Sequence, residues 1–343
     1  MARSYKKHAC TKIEFAPMRL PVNNFPLGTK IYVAGHRGLA GSAIVRELQR
    51  QGYANIVTRT HAELDLEDAA AAQRLFDQER PDVVFLAAAK VGGIHANNNY
   101  PVDFLMSNLL IEANICRAAH RAQIKRLVFL GSSCIYPRDC PQPIREEYLL
   151  TGPLEATNRP YALAKIAGVE MCWSYNRQYG TKWLAAMPTN LYGPGDNYDL
   201  DNSHVLPALI RKMHEAKLSG AAEVVLWGSG KPKREFLYVD DLANALVYLA
   251  MLDEQRYDAL VAPSQCPLIN IGTGTDLTIR ELAETVAAVV GYRGKFVQDT
   301  TKPDGTMRKV MDVSKIQGLG WKATTSLEQG ITLTYKIFSE TQS

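Results

Sequence analysis

The sequence predicts an α/β fold: a doubly wound parallel sheet of Rossmann-like type, with a smaller mixed α/β substrate-binding lobe. Three observations carry that reading. Short, continuously apolar runs alternate with helix-length patterns up to about residue 190, as expected of parallel strands covered on both faces. A glycine-rich turn joins the first strand to the first helix. Beyond Gly193 the pattern loosens into Pro, Gly, Asn and Asp, and the alternation is lost.

In chain order, Lys30-Ile-Tyr-Val-Ala34 is a short buried strand, and Gly35-His-Arg-Gly38-Leu-Ala-Gly41 opens an apolar-periodic helix running to about Gln51. Further strands are expected at 54–58, 82–88, 126–131 and 183–187, with helices at 67–79, 103–122 and 160–179 between them. Crossovers between parallel strands are right-handed, so the set winds into one sheet with its ligand at the carboxyl ends of the strands. Later pieces are Val224-Val-Leu-Trp227, Arg234-Glu-Phe-Leu-Tyr-Val-Asp240 leading into a helix, Ile269-Asn-Ile-Gly272, and a tail from 294 with a final helix. Residues 29–192 plus 236–273 are assigned to the cofactor domain, and 193–235 plus 274–343 to the lobe. Substrate is expected between them.

The glycines of the first turn serve separate ends: a tight turn, close backbone approach to a pyrophosphate, and close helix–strand packing. The helix N-terminus then faces the phosphates. A plain turn is the alternative, but the strand before and helix after favour dinucleotide binding. At the end of the second strand, where an NAD site places a carboxylate, stand Arg59, Thr60 and His61, and the loop itself carries Arg37. Cations there suit a 2′-phosphate and predict NADPH. Glu63 and Asp65 come later and fall near the adenine. Solvated surface arginines are the rival reading of Arg37 and Arg59.

The chemistry lies in Leu130-Gly-Ser-Ser-Cys-Ile-Tyr136 followed by Pro160-Tyr161-Ala-Leu-Ala-Lys165. Tyr161 and Lys165 are four apart and share one helix face. An ammonium beside a phenol favours the phenolate, so the tyrosine is expected to be lowered into a range useful for general acid/base work. Ser132 is the candidate holder of the substrate oxygen, and Cys134 is a further acid/base candidate. The spacing alone is weak, since composition yields roughly one such pair by chance. Its place after a nucleotide-binding turn and a Gly-Ser-Ser turn gives it weight.

Composition bounds the partners. The chain has 343 residues, 46% hydrophobic and 22% charged, which reads as a soluble globular protein with a substantial core. A net charge of +4 fits an anionic substrate, and the absence of a dense basic run with interleaved aromatics argues against nucleic acid. No apolar stretch is long enough for a bilayer. Cys10, Cys116, Cys134, Cys140, Cys172 and Cys266 lack metal-ligand spacing and the histidines are scattered, so a reduced cytoplasmic compartment and no metal are expected. Residues 1–28, basic and then rich in Pro and Asn, are expected to be a disordered extension. They lack the apolar core of a secretory signal, and Met18 is an alternative start.

With the glycine loop, Ser132, Tyr161 and Lys165 in this order, the chain resembles the extended short-chain dehydrogenase/reductases that act on sugar nucleotides. Ala87-Ala-Ala-Lys-Val-Gly-Gly-Ile94, Gly131-Ser-Ser-Cys-Ile-Tyr-Pro137, Pro188-Thr-Asn-Leu-Tyr-Gly-Pro194 and Asn202-Ser-His-Val205 make it similar to the GDP-L-fucose synthase family. So do Trp227-Gly-Ser-Gly230, Arg234-Glu-Phe-Leu237 and Lys302-Pro-Asp-Gly305, and the likeness runs from about 29 to 340.

That resemblance implies NADPH-dependent conversion of GDP-4-keto-6-deoxy-D-mannose to GDP-L-fucose, by inversion of two carbons beside the ketone and then its reduction. It implies a homodimer. It makes Cys134 and His204 the proton-exchanging pair, Ser132 and Tyr161 the donors to the enolate oxygen, and Tyr161 the acid in reduction. Cofactor contacts map to Gly35, His36, Arg37, Gly38, Leu39, Ala40 and Gly41, to Arg59, His61, Asp65 and Leu66, and to Ala87. They continue at Leu130, Gly131, Ser132 and Ser133, at Tyr161 and Lys165, at Pro188, Thr189, Asn190 and Leu191, and at His204. Substrate contacts map to Lys212, to Trp227 on guanine or ribose, to Arg234 on the diphosphate, and to Asp304. His61 and Lys212 stand where the family commonly has arginine, which alters the charge geometry.

Plainer roles compete with these. Cys134 is also read as a small buried residue, His204 as a helix-cap or surface histidine, and Trp227 as interlobe core. Arg234 is also read as the partner of Glu235 or Asp240. The rival functions are a ketosugar 4-reductase without epimerisation, an epimerase–reductase of the colitose branch, and a non-catalytic NADPH-binding module.

Overall fold

The computed structural model describes residues 25–342 apart from 201–202 and 303. Most of the expected N-terminal extension lies outside these residues. Its last four are part of the fold. The Phe25 ring lies 4.9 Å from the Arg126 guanidinium, and its carbonyl accepts from the Tyr53 hydroxyl at 3.2 Å. Residues 25–28 therefore belong with the fold and not with the expected extension, because an aromatic ring there covers a buried arginine.

The first half alternates as the apolar runs require. It comprises β1 (Ile31–Ala34), α1 (Leu39–Arg50), β2 (Ile56–Val57), α2 (Ala69–Glu79) and β3 (Val83–Leu86). There follow α3 (Ile94–Asn99), α4 (Pro101–Arg121), β4 (Arg126–Leu130), α5 (Arg159–Tyr179) and β5 (Lys182–Pro188). Local chemistry sets the ends. The Asp68 carboxylate caps α2 by accepting from the Ala70 and Ala71 amides, and Gly180 closes α5 at φ +67°.

After these come β6 (Asn190–Tyr192), α6 (Val205–Ser219), β7 (Glu223–Trp227), β8 (Lys233–Arg234), β9 (Phe236–Tyr238), α7 (Val239–Ala250) and α8 (Glu254–Leu260). The chain finishes with β10 (Leu268–Ile271), β11 (Leu277–Thr278), α9 (Ile279–Val290), β12 (Lys295–Asp299), β13 (Arg308–Lys309), α10 (Ser314–Gly318) and α11 (Leu327–Gln342).

The main sheet is six-stranded and parallel throughout, in the order β10-β5-β4-β3-β1-β2. Helices α1 and α7 pack together, as do α2 with α4 and α4 with α5. The strand order reverses between β1 and β3, and a crevice opens there at the carboxyl ends. Strands β1, β3 and β10 are buried along their whole length, which explains their unbroken apolar runs.

Two hydrophobic cores result. One surrounds the main sheet, and the other joins α6, β7, α9 and α11 through Leu206, Ile210, Met213, Leu226, Leu282, Val286 and Ile331. Met311, Val313, Ile316 and Trp321 pack into the first core, although their sequence position places them with the lobe. Three small sheets, β11-β8-β13, β12-β7 and β6-β9, form the lobe and its junction.

Candidate active site

The carboxyl ends of β1, β3, β4 and β5 run directly into the residues singled out by sequence. Gly35 follows β1, Ala87 follows β3, Gly131 and Ser132 follow β4, and Thr189 follows β5. Together with α5 and His204 they line one cleft of about 560 Å³. Of the expected cofactor contacts, Gly35, Gly38 to Gly41, Arg59, His61, Asp65, Leu66, Ala87, Leu130, Ser132, Ser133, Tyr161, Lys165, Pro188 to Leu191 and His204 all line it. His36, Arg37 and Gly131 do not. Arg37 is exposed on the rim of the turn, and Gly131 packs against the Met187 side chain.

Gly35 sits at φ +84°, and a Cβ there would meet the Ala88 backbone at 2.7 Å. A Cβ at Gly41 would fall 2.1 Å from the Gly35 carbonyl oxygen, so the helix start and the turn touch through hydrogen alone. Gly38 differs: its missing Cβ would meet only that same oxygen at 3.5 Å, and the space beyond it is cleft. A cradle of this shape at the N-terminus of α1 fits a pyrophosphate. At the adenosine end, Arg59 donates to Glu79 Oε1 at 2.5 Å and to the Thr58 carbonyl at 2.8 Å, so much of its guanidinium is already engaged. Arg37 forms no ion pair among the described residues.

Tyr161 and Lys165 share a face of α5 as their spacing predicts. The Lys165 ammonium donates to the Leu130 carbonyl at 3.1 Å, stands 3.2 Å from Glu112 Oε1, and lies 4.7 Å from the Phe129 ring and 5.8 Å from the Tyr161 ring. The expected lowering of the phenol is not found. Burial, with Cys134 and Glu112 nearby, raises the Tyr161 pKa well above its ordinary value. The ammonium that was to acidify it is already matched by a carboxylate. Ser132 caps a 3-10 turn over Ser133–Ile135, its hydroxyl accepting from the Cys134 amide at 3.4 Å.

Cys134 is buried and does not line the cleft. Burial raises its thiol, while Lys309, Ser132 and Lys165 act in the opposite direction. His204 holds the N-cap position of α6 without a side-chain cap bond, so its ring is not spent on the helix. It is open to solvent along the cleft yet crowded by protein, and that desolvation holds its pKa below the ordinary value.

The expected substrate residues lie on the lobe. Trp227 is 59% exposed, so it is not interlobe core, and the ammoniums of Lys212 and Lys302 stand 5.0 and 5.4 Å from its ring centroid. Arg234 donates to the carbonyls of Lys233 and Thr306. Its proposed ionic partners are committed elsewhere. Glu235 accepts from the amides of Thr273, Gly274 and Met311, and Asp240 pairs with Arg46. Asp304 accepts from the Ser229 amide at 2.6 Å and hydroxyl at 2.8 Å, which braces the Gly228–Gly230 turn beside Trp227.

Sequence reasoning gave no role to Lys309 or Glu112, and it quoted Lys302 and the 88–91 loop that lines the cleft only as parts of family motifs. Asn108 holds that loop by accepting from the Lys90 amide and donating to the Lys90 carbonyl. Lys309 pairs in register with Arg234 and influences Cys134, which links the lobe to the catalytic turn. Glu112 had a signal, a lone carboxylate in the apolar stretch Asn108-Leu-Leu-Ile-Glu-Ala-Asn114. Lys309 had none.

The sequence model of the NAD dependent epimerase/dehydratase family matches residues 31–261. The chain is 58% identical over 306 residues to GDP-L-fucose synthase 1 of Arabidopsis thaliana, covering 89% of this chain and 92% of that one. It is 53% identical over 313 residues to the GDP-L-fucose synthase of Escherichia coli strain K12, covering 91% and 97%. The GDP-L-colitose synthase of Yersinia pseudotuberculosis is 38% identical over 310 residues, with 90% and 97% covered. The crystal structure of a GDP-L-fucose synthetase from Naegleria fowleri bound to NADP matches with a TM-score of 0.84 at 30% identity, covering 95% of this chain and 96% of that one.

Proposed function

The chain belongs to the NAD dependent epimerase/dehydratase family, and from that premise we propose that it converts GDP-4-keto-6-deoxy-D-mannose to GDP-L-fucose. It is an NADP(H)-dependent oxidoreductase and epimerase. One observation carries this reading: a single cleft joins a dinucleotide-binding turn to Ser132, Tyr161, Lys165 and His204. The likeness to fucose synthases spans nearly the whole chain, and the colitose enzyme is the more distant relative.

The residues present fit the cofactor. The Gly35–Gly41 turn would hold the pyrophosphate, Arg37, Arg59 and His61 the 2′-phosphate, and Lys165 the ribose hydroxyls. NADPH, when bound, supplies the hydride for carbon 4. The Ser132 and Tyr161 hydroxyls hold the ketone oxygen and stabilise the charge that develops there when a proton leaves the adjacent carbon. Cys134 and His204 exchange those protons. The imidazole, held below its ordinary pKa, is neutral near pH 7, and the thiol, raised by burial, keeps its proton, so the resting pair is one acceptor and one donor. Tyr161, likewise protonated, donates to the oxygen as the ketone is reduced. Trp227 stacks on the guanine, with Lys212 and Arg234 directed to the diphosphate and Asp304 holding the turn beneath.

We also propose a homodimer. Val102, Met106 and Leu110 form an exposed stripe along α4, joined by Leu163 of α5, and such a stripe suits helix pairing between two copies. Among the described residues no helix is long and apolar enough to cross a membrane. Cys116, Cys134, Cys140, Cys172 and Cys266 are free thiols, which supports a reducing, cytoplasmic setting. The test is product analysis with purified protein, NADPH and GDP-4-keto-6-deoxy-D-mannose. GDP-L-fucose is expected. A reduced sugar of unaltered configuration would refute the epimerase, and no NADPH oxidation would refute the enzyme.

A further inference from the structure

Asn270 stands inside β10, in the run Leu268-Ile-Asn-Ile271, where every other residue is an apolar core side chain. It is fully buried, yet its carboxamide is well bonded. Oδ1 accepts from the Tyr136 hydroxyl at 2.6 Å, and Nδ2 donates to the carbonyls of Ile144 at 3.0 Å and Asp312 at 3.2 Å. Its backbone amide donates to Glu146 Oε1 at 2.9 Å. The partners are themselves tied together. The Ile144 amide donates to the Val310 carbonyl at 2.8 Å, and its carbonyl accepts from the Asp312 amide at 2.7 Å. The Val310 amide donates to Gln142 Oε1 at 3.0 Å. An apolar side chain would serve the sheet at this position. A buried polar network whose members are satisfied instead fixes one arrangement of the groups it joins.

Among those groups is the turn that carries Cys134. Tyr136 closes the 3-10 turn Ser133–Ile135, its amide donating to the Ser133 carbonyl at 3.4 Å, while its hydroxyl rests on Asn270. We propose that Asn270 is a positioning residue for the epimerisation: through the Tyr136 hydroxyl it fixes this turn, so that the Cys134 thiol meets the carbon beside the ketone. The inference rests on the reading of Cys134 as one of the two proton-exchanging groups. The groups for reduction are held by other means. Lys165 donates to the Leu130 carbonyl, the Gly131 amide donates to the Ala186 carbonyl at 2.9 Å just before Ser132, and Tyr161 stands on α5. Loosening Tyr136 therefore moves the thiol more than the groups that hold the ketone oxygen. Epimerisation has to come first, because the ketone acidifies the neighbouring carbons and reduction removes it. A displaced thiol lets the hydride arrive early, and the configuration of the product records the order.

The experiment compares the unaltered protein with Tyr136→Phe, which removes one hydrogen bond and almost no packed volume, and with Asn270→Leu, which removes all the side-chain bonds. Two readouts are taken: deuterium wash-in at carbons 3 and 5 with oxidised cofactor in the site, and the configuration of the sugar formed with NADPH. Wash-in should slow about tenfold in Tyr136→Phe, since a small misplacement of a reacting group lowers its rate steeply. Reduced sugar of unaltered configuration should appear beside GDP-L-fucose, and Asn270→Leu should form more of it. Native wash-in with GDP-L-fucose as the sole product, in either folded variant, overturns the proposal. So does an equal fall in wash-in and NADPH oxidation with the configuration intact, since that marks a packing role. Should Asn270→Leu not fold, Tyr136→Phe decides alone. Cys134→Ser assayed alongside separates the failures: normal wash-in there sinks the reading of Cys134, while slow wash-in there with native behaviour in Tyr136→Phe sinks only the role of Asn270.

Discussion

Lys165 and Trp227 mark the two ends of the site, and they are held in opposite ways. The Lys165 ammonium is buried, fixed by a strand carbonyl and a carboxylate, and backed by an aromatic ring. Trp227 stands open at the end of β7, with the ammoniums of Lys212 and Lys302 over its ring. At the cofactor end the groups are arranged before any ligand arrives. At the nucleotide end, the ring is exposed and its neighbours are cations rather than packed side chains. Changes near Lys165 should therefore fall on the chemical step, and changes near Trp227 on binding.

The largest effect should come from Tyr161→Phe, which removes the proton donor without opening the cleft. Reduction is expected to fall about 10³-fold, with NADPH Kd nearly unchanged. Turnover above a tenth of normal would break the comparison at its rigid end. Next is Cys134→Ser. With oxidised cofactor in the site, the unaltered protein should carry deuterium from heavy water into carbons 3 and 5 of the ketosugar, and the variant should do so about 10²-fold more slowly. Wash-in by the variant at the normal rate would remove Cys134 from the proton exchange. His204→Gln should slow the same exchange.

Trp227→Ala should raise the KM for the GDP-sugar about tenfold, because base–aromatic stacking is worth about 1–3 kcal/mol, and leave kcat almost alone. A fall in kcat matching the rise in KM would show that the nucleotide end shapes the reacting geometry after all. The smallest effect belongs to the cofactor's far end. Arg37→Ala should narrow the preference for NADPH over NADH about fivefold, through the NADPH KM, since an exposed charge contact acts equally in ground and transition states. Arg59→Ala should narrow it less, because Glu79 and the Thr58 carbonyl already engage that guanidinium. Equal use of both cofactors by the unaltered protein would contradict the assignment of the 2′-phosphate pocket.

The amino-acid sequence by itself determined the strand–turn–helix at Gly35, the alternation through β5, and the shared helix face of Tyr161 and Lys165. These depend on local periodicity and on glycine, which the chain carries residue by residue. It also showed residue types that meet in the cleft, because Gly35, Ala87, Gly131, Ser132 and Thr189 each follow the carboxyl end of an apolar run. Only the tertiary structure decided which strand completes the sheet beyond β5, and that Lys309 reaches Cys134 from a distant strand. It alone brought Glu235 to the adjacent amides of Thr273 and Gly274 and to the distant amide of Met311. The phenol shows the division best. Spacing placed an ammonium beside Tyr161 and argued for a lowered pKa, yet the folded protein raises it. A pKa answers to every charge and every excluded water around the group. Glu112 arrives at Lys165 from another helix, through packing that no periodicity records.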